Sequence, residues 1–403
     1  MAHTVVIGAG QAGAALVARL RKQGDTGQIT LIGEEPVPPY QRPPLSKAYL
    51  LGDMAAERLF LRPAAFYKDN DITLRPGAHV GAIDPGTRVI TLSDGGTLAY
   101  DRLALTTGST PRRLPGTIGG DLPGVFTMRS LADADAMRPY LLAGNHLLVI
   151  GGGYIGLEAA AVAAKSGLKV TLVEASSRIL GRVAAPETAD WFRALHQAHG
   201  VNILESTGLT RLTGDTHVTG AILSDGAEIT CDFACVGIGV TPNTALAETA
   251  GLTIDNGIAT DAHGQTSDPA IWAAGDCASL PYRGQRIRLE SVQNAIDQAE
   301  AVADNMLGAQ AEYVPKPWFW SDQYDVKLQI AGLNTGYDRV ITRPGDAQSV
   351  SFWYYNGDTL LAVDAMNDPR AYMTGKRLIE SGQSPDSSLV ADPATPLKSL
   401  LTA

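Results

Sequence analysis

Cysteine is nearly absent from this chain of 403 residues. The three present, Cys231, Cys235 and Cys277, are too few for a disulfide scaffold. Cys231 and Cys235 lie in Cys231-Asp232-Phe233-Ala234-Cys235-Val236-Gly237, an apolar run that reads as a strand. Four strand residues would hold them about 13 Å apart, beyond the roughly 7 Å a disulfide spans, so they read as small buried hydrophobes. Long apolar runs are also missing: nothing approaches the roughly 18 consecutive residues of a membrane span. Basic charge is in deficit, with 32 Lys and Arg against 42 Asp and Glu and a formal net charge of -10. That balance argues against nucleic-acid binding, which relies on neutralising phosphates. His196 and His199 have helical spacing but no evident third ligand, so no metal site is expected and the pair reads as a solvated helix face. Thr4-Val5-Val6-Ile7 reads as a strand almost directly after Met1, so no signal peptide and a cytoplasmic location are expected.

What is present is material for packed cores, with 45% hydrophobic and 18% charged residues. The length suggests two or three domains. The first 34 residues predict a βαβ unit: a strand over 4–7, a glycine turn, a helix over about 12–23 with Gly24 as its stop, and a strand over 28–32. Ala12, Leu16 and Leu20 recur at helical spacing and give that helix an apolar face. The pattern returns as a strand over 147–150, a helix over about 155–166 stopped by Gly167, and a strand over 169–173. The first glycines of the two turns, Gly8 and Gly151, are 143 positions apart. Residues 72–105 and about 201–236 each alternate around turn signals such as Asp84-Pro85-Gly86, Asp94-Gly95-Gly96 and Asp225-Gly226, and read as antiparallel meanders. Past Ala311 the texture changes to Pro315, Pro317, an aromatic cluster and short strand-like runs over 349–355 and 359–364.

The two turns carry chemistry. In Gly8-Ala9-Gly10-Gln11-Ala12-Gly13, glycines permit a tight turn, close approach of backbone to a pyrophosphate, and tight helix packing. Gly151-Gly152-Gly153-Tyr154-Ile155-Gly156 repeats the arrangement. Each following strand ends in an acid suited to ribose hydroxyls: Glu34, with Glu35 as a near rival, and Glu174. A carboxylate at Glu174 accepts the adenosine 2′-hydroxyl and repels a 2′-phosphate, which favours NADH over NADPH, with Arg178 and Arg182 nearby as opposing charges. One such motif is weak evidence; two copies sharing strand, helix and trailing acid imply two dinucleotide sites. Asp276, after an apolar strand over 270–274, reads either as a ligand to a cofactor chain or as a cap for a following helix.

With these motifs, Arg42-Pro43-Pro44-Leu45-Ser46-Lys47, Thr107-Gly108, Gly237-Ile238-Gly239, Ala274-Gly275-Asp276-Cys277, Glu290-Ser291-Val292 and Pro317-Trp318-Phe319-Trp320-Ser321-Asp322-Gln323-Tyr324 make the chain resemble, over essentially its whole length, a known family. It resembles the FAD-dependent ferredoxin reductases of glutathione-reductase-like fold that serve bacterial cytochrome P450 and aromatic dioxygenase systems. The resemblance implies an α/β protein with two Rossmann-like dinucleotide-binding domains and a smaller α+β C-terminal domain. FAD is expected on residues 1–112 and 245–312, NADH on 113–244, and the C-terminal domain over 313–403. Asp276 would bind the FAD ribityl chain; Ala12, Arg42, Val80, Arg129, Val292, Trp320 and Gly239 would contribute to the cofactor sites. Lys47 and Glu158, individually a solvated lysine and a helix-start carboxylate, would form an ion pair beside flavin N5. Trp318 and Trp320, two apart on a strand, share a face and read either as interface packing or as neighbours of the flavin.

The implied reaction is hydride transfer from NADH to the flavin, then single-electron transfer to a small iron-sulfur ferredoxin that feeds a P450 or dioxygenase. Relatives that reduce disulfides or peroxides need redox cysteines early in the chain, whereas the first here is Cys231. The alternatives are a rubredoxin or monodehydroascorbate reductase of the same architecture, or a redox interaction protein similar to apoptosis-inducing factor. Arg42, Arg62, Arg286 and Arg288 read equally as a docking face for an acidic ferredoxin or as scattered surface charge.

Overall fold

The computed structural model describes residues 2–346 and 348–402. They divide into two compact units. One comprises the chain up to Gln41, Ala56–Thr110 and Val240–Pro317; the other comprises Arg42–Ala55, Pro111–Gly239 and the chain from Trp318 onward.

In the first unit five parallel strands lie in the order Ile271–Ala273, Arg102–Leu105, His3–Ile7, Gln28–Gly33, Ile72–Pro76. Both faces are covered, and the period of two decides which residue faces which layer. Val5, Ile7, Leu103, Leu105 and Ile271 pack with Val80, Ile83, Ile90 and Leu92 of a small antiparallel sheet. Val6, Ala104 and Trp272 pack instead with Leu16 and Leu20 of the helix Gln11–Lys22 and with Ala299 and Val302 of the helix Val292–Met306.

The second unit repeats the design with parallel strands in the order Asn202–Leu204, Lys169–Val173, His146–Ile150, Phe233–Val236, Val125–Phe126, and with the helix Tyr154–Lys165 after the central strand. From Trp318 a five-stranded antiparallel sheet follows, ordered Trp318–Gln323, Val326–Gly332, Thr359–Met366, Val350–Asn356, Arg339–Pro344. The helix Pro369–Ser381 packs on it through Ala371, Tyr372 and Leu378 against Trp353 and Val363.

Both expected βαβ units are present, each helix starting one residue earlier than its pattern suggested. Gly24 and Gly167 end them at φ of +84° and +79°, the left-handed conformation a glycine stop supplies. The meanders are shorter than expected. Only Val80–Asp84, Val89–Leu92 and Thr97–Ala99, and in the second unit Leu209–Thr213, Gly220–Leu223 and Glu228–Thr230, pair antiparallel. The flanking strands Ile72–Pro76, Arg102–Leu105, Asn202–Leu204 and Phe233–Val236 join the parallel sheets. Alternation and turn signals are local, whereas the choice of parallel partner is made across the fold. Among the described residues no helix is long and apolar enough to cross a membrane.

Candidate functional site

The glycines at the first, third and sixth positions of each turn meet different neighbours. A Cβ on Gly8 would sit 2.1 Å from the Thr106 carbonyl oxygen, and one on Gly13 would sit 2.1 Å from that of Gly8. In the second turn a Cβ on Gly151 would lie 2.5 Å from the Gly237 carbonyl oxygen, and one on Gly156 would lie 2.2 Å from that of Gly151. These four are glycine because the protein packs on them. The middle glycines are not: a Cβ on Gly10 would meet nothing within 4 Å, and one on Gly153 only the Gly237 carbonyl oxygen at 4.0 Å. Gly10 and Gly153 are also the N-caps of their helices, neither of which has a side-chain cap or an acidic residue in its first turn. Each turn thus leaves open space over unpaired backbone N–H groups, which fits a dinucleotide pyrophosphate.

The trailing acids differ in their surroundings. Glu34 is exposed just past the strand Gln28–Gly33, whereas Glu35 is half-buried and accepts from the Tyr40 hydroxyl at 2.6 Å. Glu174 is held at both oxygens, by the Gly152 N–H at 2.7 Å and the Ser176 N–H at 2.7 Å, which fixes its charge beside the second glycine turn. Arg178 carries a buried Nη1 with no hydrogen-bond partner among the described residues. Ile155, in the first turn of the helix, is 45% exposed, which is unusual for isoleucine.

Lys47 and Glu158 lie together in the second unit. Lys47 Nζ is 2.9 Å from Glu158 Oε1, with the two side chains 19% and 4% exposed. Glu158 sits beyond the first helical turn and faces inward, where Ser46 Oγ donates to its Oε2 at 2.8 Å and Ser321 Oγ donates to its Oε1 at 2.7 Å. Three donors surround one buried carboxylate. The two serines were not singled out from sequence, although both lie in segments that carry the resemblance.

Asp276 follows the strand Ile271–Ala273 and accepts from Ser109 Oγ at 2.9 Å. The next element is the strand Ala278–Tyr282, so the alternative of a helix cap fails for want of a helix. Ala12 and Val80 are buried, and Val292 is half-buried as the first residue of its helix, behind the N-cap Ser291. Arg42 Nη1 donates to the Arg129 carbonyl at 2.6 Å, and the Arg129 N–H donates to Asp133 at 3.0 Å. Gly239, at φ +101°, stands close to the Arg182 guanidinium. Trp318 and Trp320 share a face of their strand with ring centroids 5.5 Å apart, both half-buried.

His196 departs from expectation. It is fully buried, not solvated: Nε2 pairs with Gln323 Oε1 at 2.7 Å and Nδ1 with the Tyr324 hydroxyl at 3.1 Å. His199 is exposed, as expected. Spacing alone placed both on one face, but the helix Pro186–Ala198 packs near its end, so only His199 stays in water. No group of His, Cys, Asp and Glu among the described residues could hold a metal. The cysteines are free and buried, and burial pushes the thiols of Cys231 and Cys235 up to about 11 and about 12, so they are inert as nucleophiles. Arg286 donates to the carbonyls of Thr260 and Ser279, and Arg288 pairs with Glu290, so these two are used by the fold.

Residues 2–299 match the family model described as pyridine nucleotide-disulphide oxidoreductase, and residues 318–401 match the reductase C-terminal model. The chain is 42% identical to putidaredoxin reductase of Pseudomonas putida over 409 residues, which covers 100% of this chain and 97% of that protein. It is 39% identical over 403 residues to the ferredoxin–NAD(+) reductase component of the anthranilate 1,2-dioxygenase system of Burkholderia cepacia, covering 98% of each. Its structure superposes on the crystal structure of the covalent putidaredoxin reductase–putidaredoxin complex with a TM-score of 0.96 at 40% identity, covering 100% of this chain and 98% of that one. Matching on sequence and fold alike, the chain belongs to the pyridine nucleotide-disulphide oxidoreductase family and carries a reductase C-terminal domain.

Proposed function

We propose that this chain is an FAD-dependent NADH:ferredoxin oxidoreductase that delivers single electrons to a [2Fe-2S] ferredoxin, which in turn supplies a cytochrome P450 or aromatic-ring oxygenase. The observation that carries the reading is the doubled glycine turn, in which a Cβ on Gly10 would meet nothing within 4 Å and one on Gly153 only a carbonyl oxygen at 4.0 Å, while Gly8, Gly13, Gly151 and Gly156 are packed against backbone. The names of the full-length relatives support the acceptor and the electron donor. FAD when bound supplies the chemistry, taking two electrons as hydride and releasing them one at a time.

The residues then divide the work. Gly8, Gly10 and Gly13 shape the FAD turn, and the unpaired N–H groups of the helix Gln11–Lys22 receive the pyrophosphate charge. Asp276 would accept ribityl hydroxyls and Glu34 those of the ribose, with Ala12, Val80 and Val292 lining the same cofactor; Arg42, Arg129 and Trp320 are assigned to the cofactor sites. Gly151, Gly153, Ile155, Gly156 and Gly239 line the NADH side, where Glu174 selects against a 2′-phosphate. Lys47 and Glu158 position the reacting rings. FAD is assigned to residues 1–112 and 245–312 and NADH to 113–244, with 313–403 as the C-terminal domain; the cytoplasm, where NADH is regenerated, is the assigned location.

The test is direct. Purified protein should be yellow, bleach with NADH under anaerobic conditions, and reduce cytochrome c only when a [2Fe-2S] ferredoxin is added. Rapid reduction of rubredoxin in place of ferredoxin would overturn the acceptor assignment. Failure to take up FAD would overturn the whole reading.

A further inference from the structure

His196 has no part in the reading above, yet it is tied to Glu158 by an unbroken line of buried hydrogen bonds. Ser321 Oγ is 2.7 Å from Glu158 Oε1, Gln323 Nε2 is 3.1 Å from Ser321 Oγ, and His196 Nε2 is 2.7 Å from Gln323 Oε1. The Tyr324 hydroxyl closes the line at His196 Nδ1, 3.1 Å away, with its ring stacked on that of the exposed His199. His196 and Ser321 are fully buried, and Gln323 and Glu158 are 1% and 3% exposed.

The polarity of the line follows from its inner end. A carboxylate only accepts, so the Ser321 proton points at Glu158. Ser321 Oγ must then accept from the Gln323 amide, which turns Gln323 Oε1 toward His196. That oxygen only accepts, so His196 carries its proton on Nε2 and accepts from Tyr324 on Nδ1. Every donor points toward the buried charge, an arrangement in which successive bonds polarise one another. Burial holds the imidazole pKa down to about 4, so the ring stays neutral near neutral pH, as the line requires. Ser321 and Gln323 are two apart on one strand and so share its buried face. At its other end the His196 helix is pinned by Thr188, which donates to the buried Asp364 at 2.7 Å.

We infer that His196 is a positioning residue: through Gln323 and Ser321 it fixes the orientation of the Glu158 carboxylate against Lys47. The inference rests on the proposed role of Glu158 in hydride transfer.

The experiment uses the full-length flavoprotein in four forms, wild type, His196→Phe, His196→Gln and Ser321→Ala, each with Glu158 intact and with Glu158→Gln. Histidine 15N spectra should show one ring protonated only on Nε2 from pH 5.5 to 8, with that signal lost in His196→Phe. In stopped-flow reduction by NADH, Ser321→Ala should slow flavin bleaching about tenfold at full FAD content, the size of effect expected from a lost hydrogen bond to a charged group, and His196→Phe, acting through Gln323 and Ser321, should slow it by about the same factor. His196→Gln, whose amide keeps a donor toward Gln323, should recover to within about twofold of the wild type. With Glu158→Gln in place, His196→Phe should add nothing. A wild-type rate in both His196→Phe and Ser321→Ala, an undiminished loss in the Glu158→Gln background, or an Nδ1-protonated ring would each overturn the inference. If His196→Phe does not fold, Ser321→Ala breaks the line without touching the helix. If the wild type is not bleached by NADH, the proposed function fails, and the 15N spectra alone decide whether the line exists.

Discussion

Replacing Lys47 with alanine removes the only cation among the three donors on Glu158 and leaves a carboxylate that is 4% exposed with two serine hydroxyls. Breaking a fully buried ion pair costs about 3–5 kcal/mol. Lys47 is 19% exposed and both serine bonds survive, so the stability loss should be smaller, about 1.5–3 kcal/mol. The kinetic effect should be of similar size, because hydride transfer needs near-contact geometry and a misplacement of about 1 Å costs on the order of a hundredfold. Lys47→Ala and Glu158→Gln should each slow flavin reduction by roughly 10- to 100-fold while FAD stays bound, since neither touches the glycine turns. The double variant should lose less than the product of the two, because the first change already breaks the pair. Stopped-flow bleaching by NADH in all four proteins, at saturating NADH, measures this. Unchanged rates in both single variants would refute the reasoning and leave the pair a structural one.

Gly10→Val should fold normally but bind no FAD, because its side chain enters space free of protein, whereas Gly8→Ala should be destabilised by contact with the Thr106 carbonyl; flavin content and thermal melts separate the two, and full flavin in Gly10→Val would contradict the first cradle. NADH should exceed NADPH by at least about tenfold in kcat/KM, roughly 1.4 kcal/mol of discrimination by Glu174, and Glu174→Ala should narrow the gap. Equal use by the wild type would mean that Arg178 or Arg182 outweighs the carboxylate. Full burial raises the Asp364 pKa to about 6, against the hydrogen bonds it accepts from Tyr354 and Thr188, which pull it down. Since the folded value lies above the unfolded one, its contribution is present in full below about pH 4 and lost as pH rises through about 6. The melting temperature of the wild type should therefore fall relative to that of Asp364→Asn across that window, and parallel curves would exclude the linkage.

The two nucleotide modules were legible in the sequence because their information is local. Strand, turn, helix and trailing acid follow within about thirty residues, and Gly24 and Gly167 stop their helices by backbone conformation alone. What the sequence could not say was which glycine of each turn is held by protein and which is left open, since the neighbours of Gly8 and Gly151 are Thr106 and Gly237, far along the chain. The same limit misjudged the meanders, whose outer strands belong to the parallel sheets. It also misjudged His196: helical spacing places it beside His199, but burial depends on what packs there, and that is the strand Trp318–Gln323, more than a hundred residues away. Glu158 shows the division most clearly. The resemblance already pairs it with Lys47, while its other two donors, Ser46 and Ser321, are gathered around the carboxylate only by the tertiary structure. A buried charge needs several partners at once, and no single stretch of chain can supply them all.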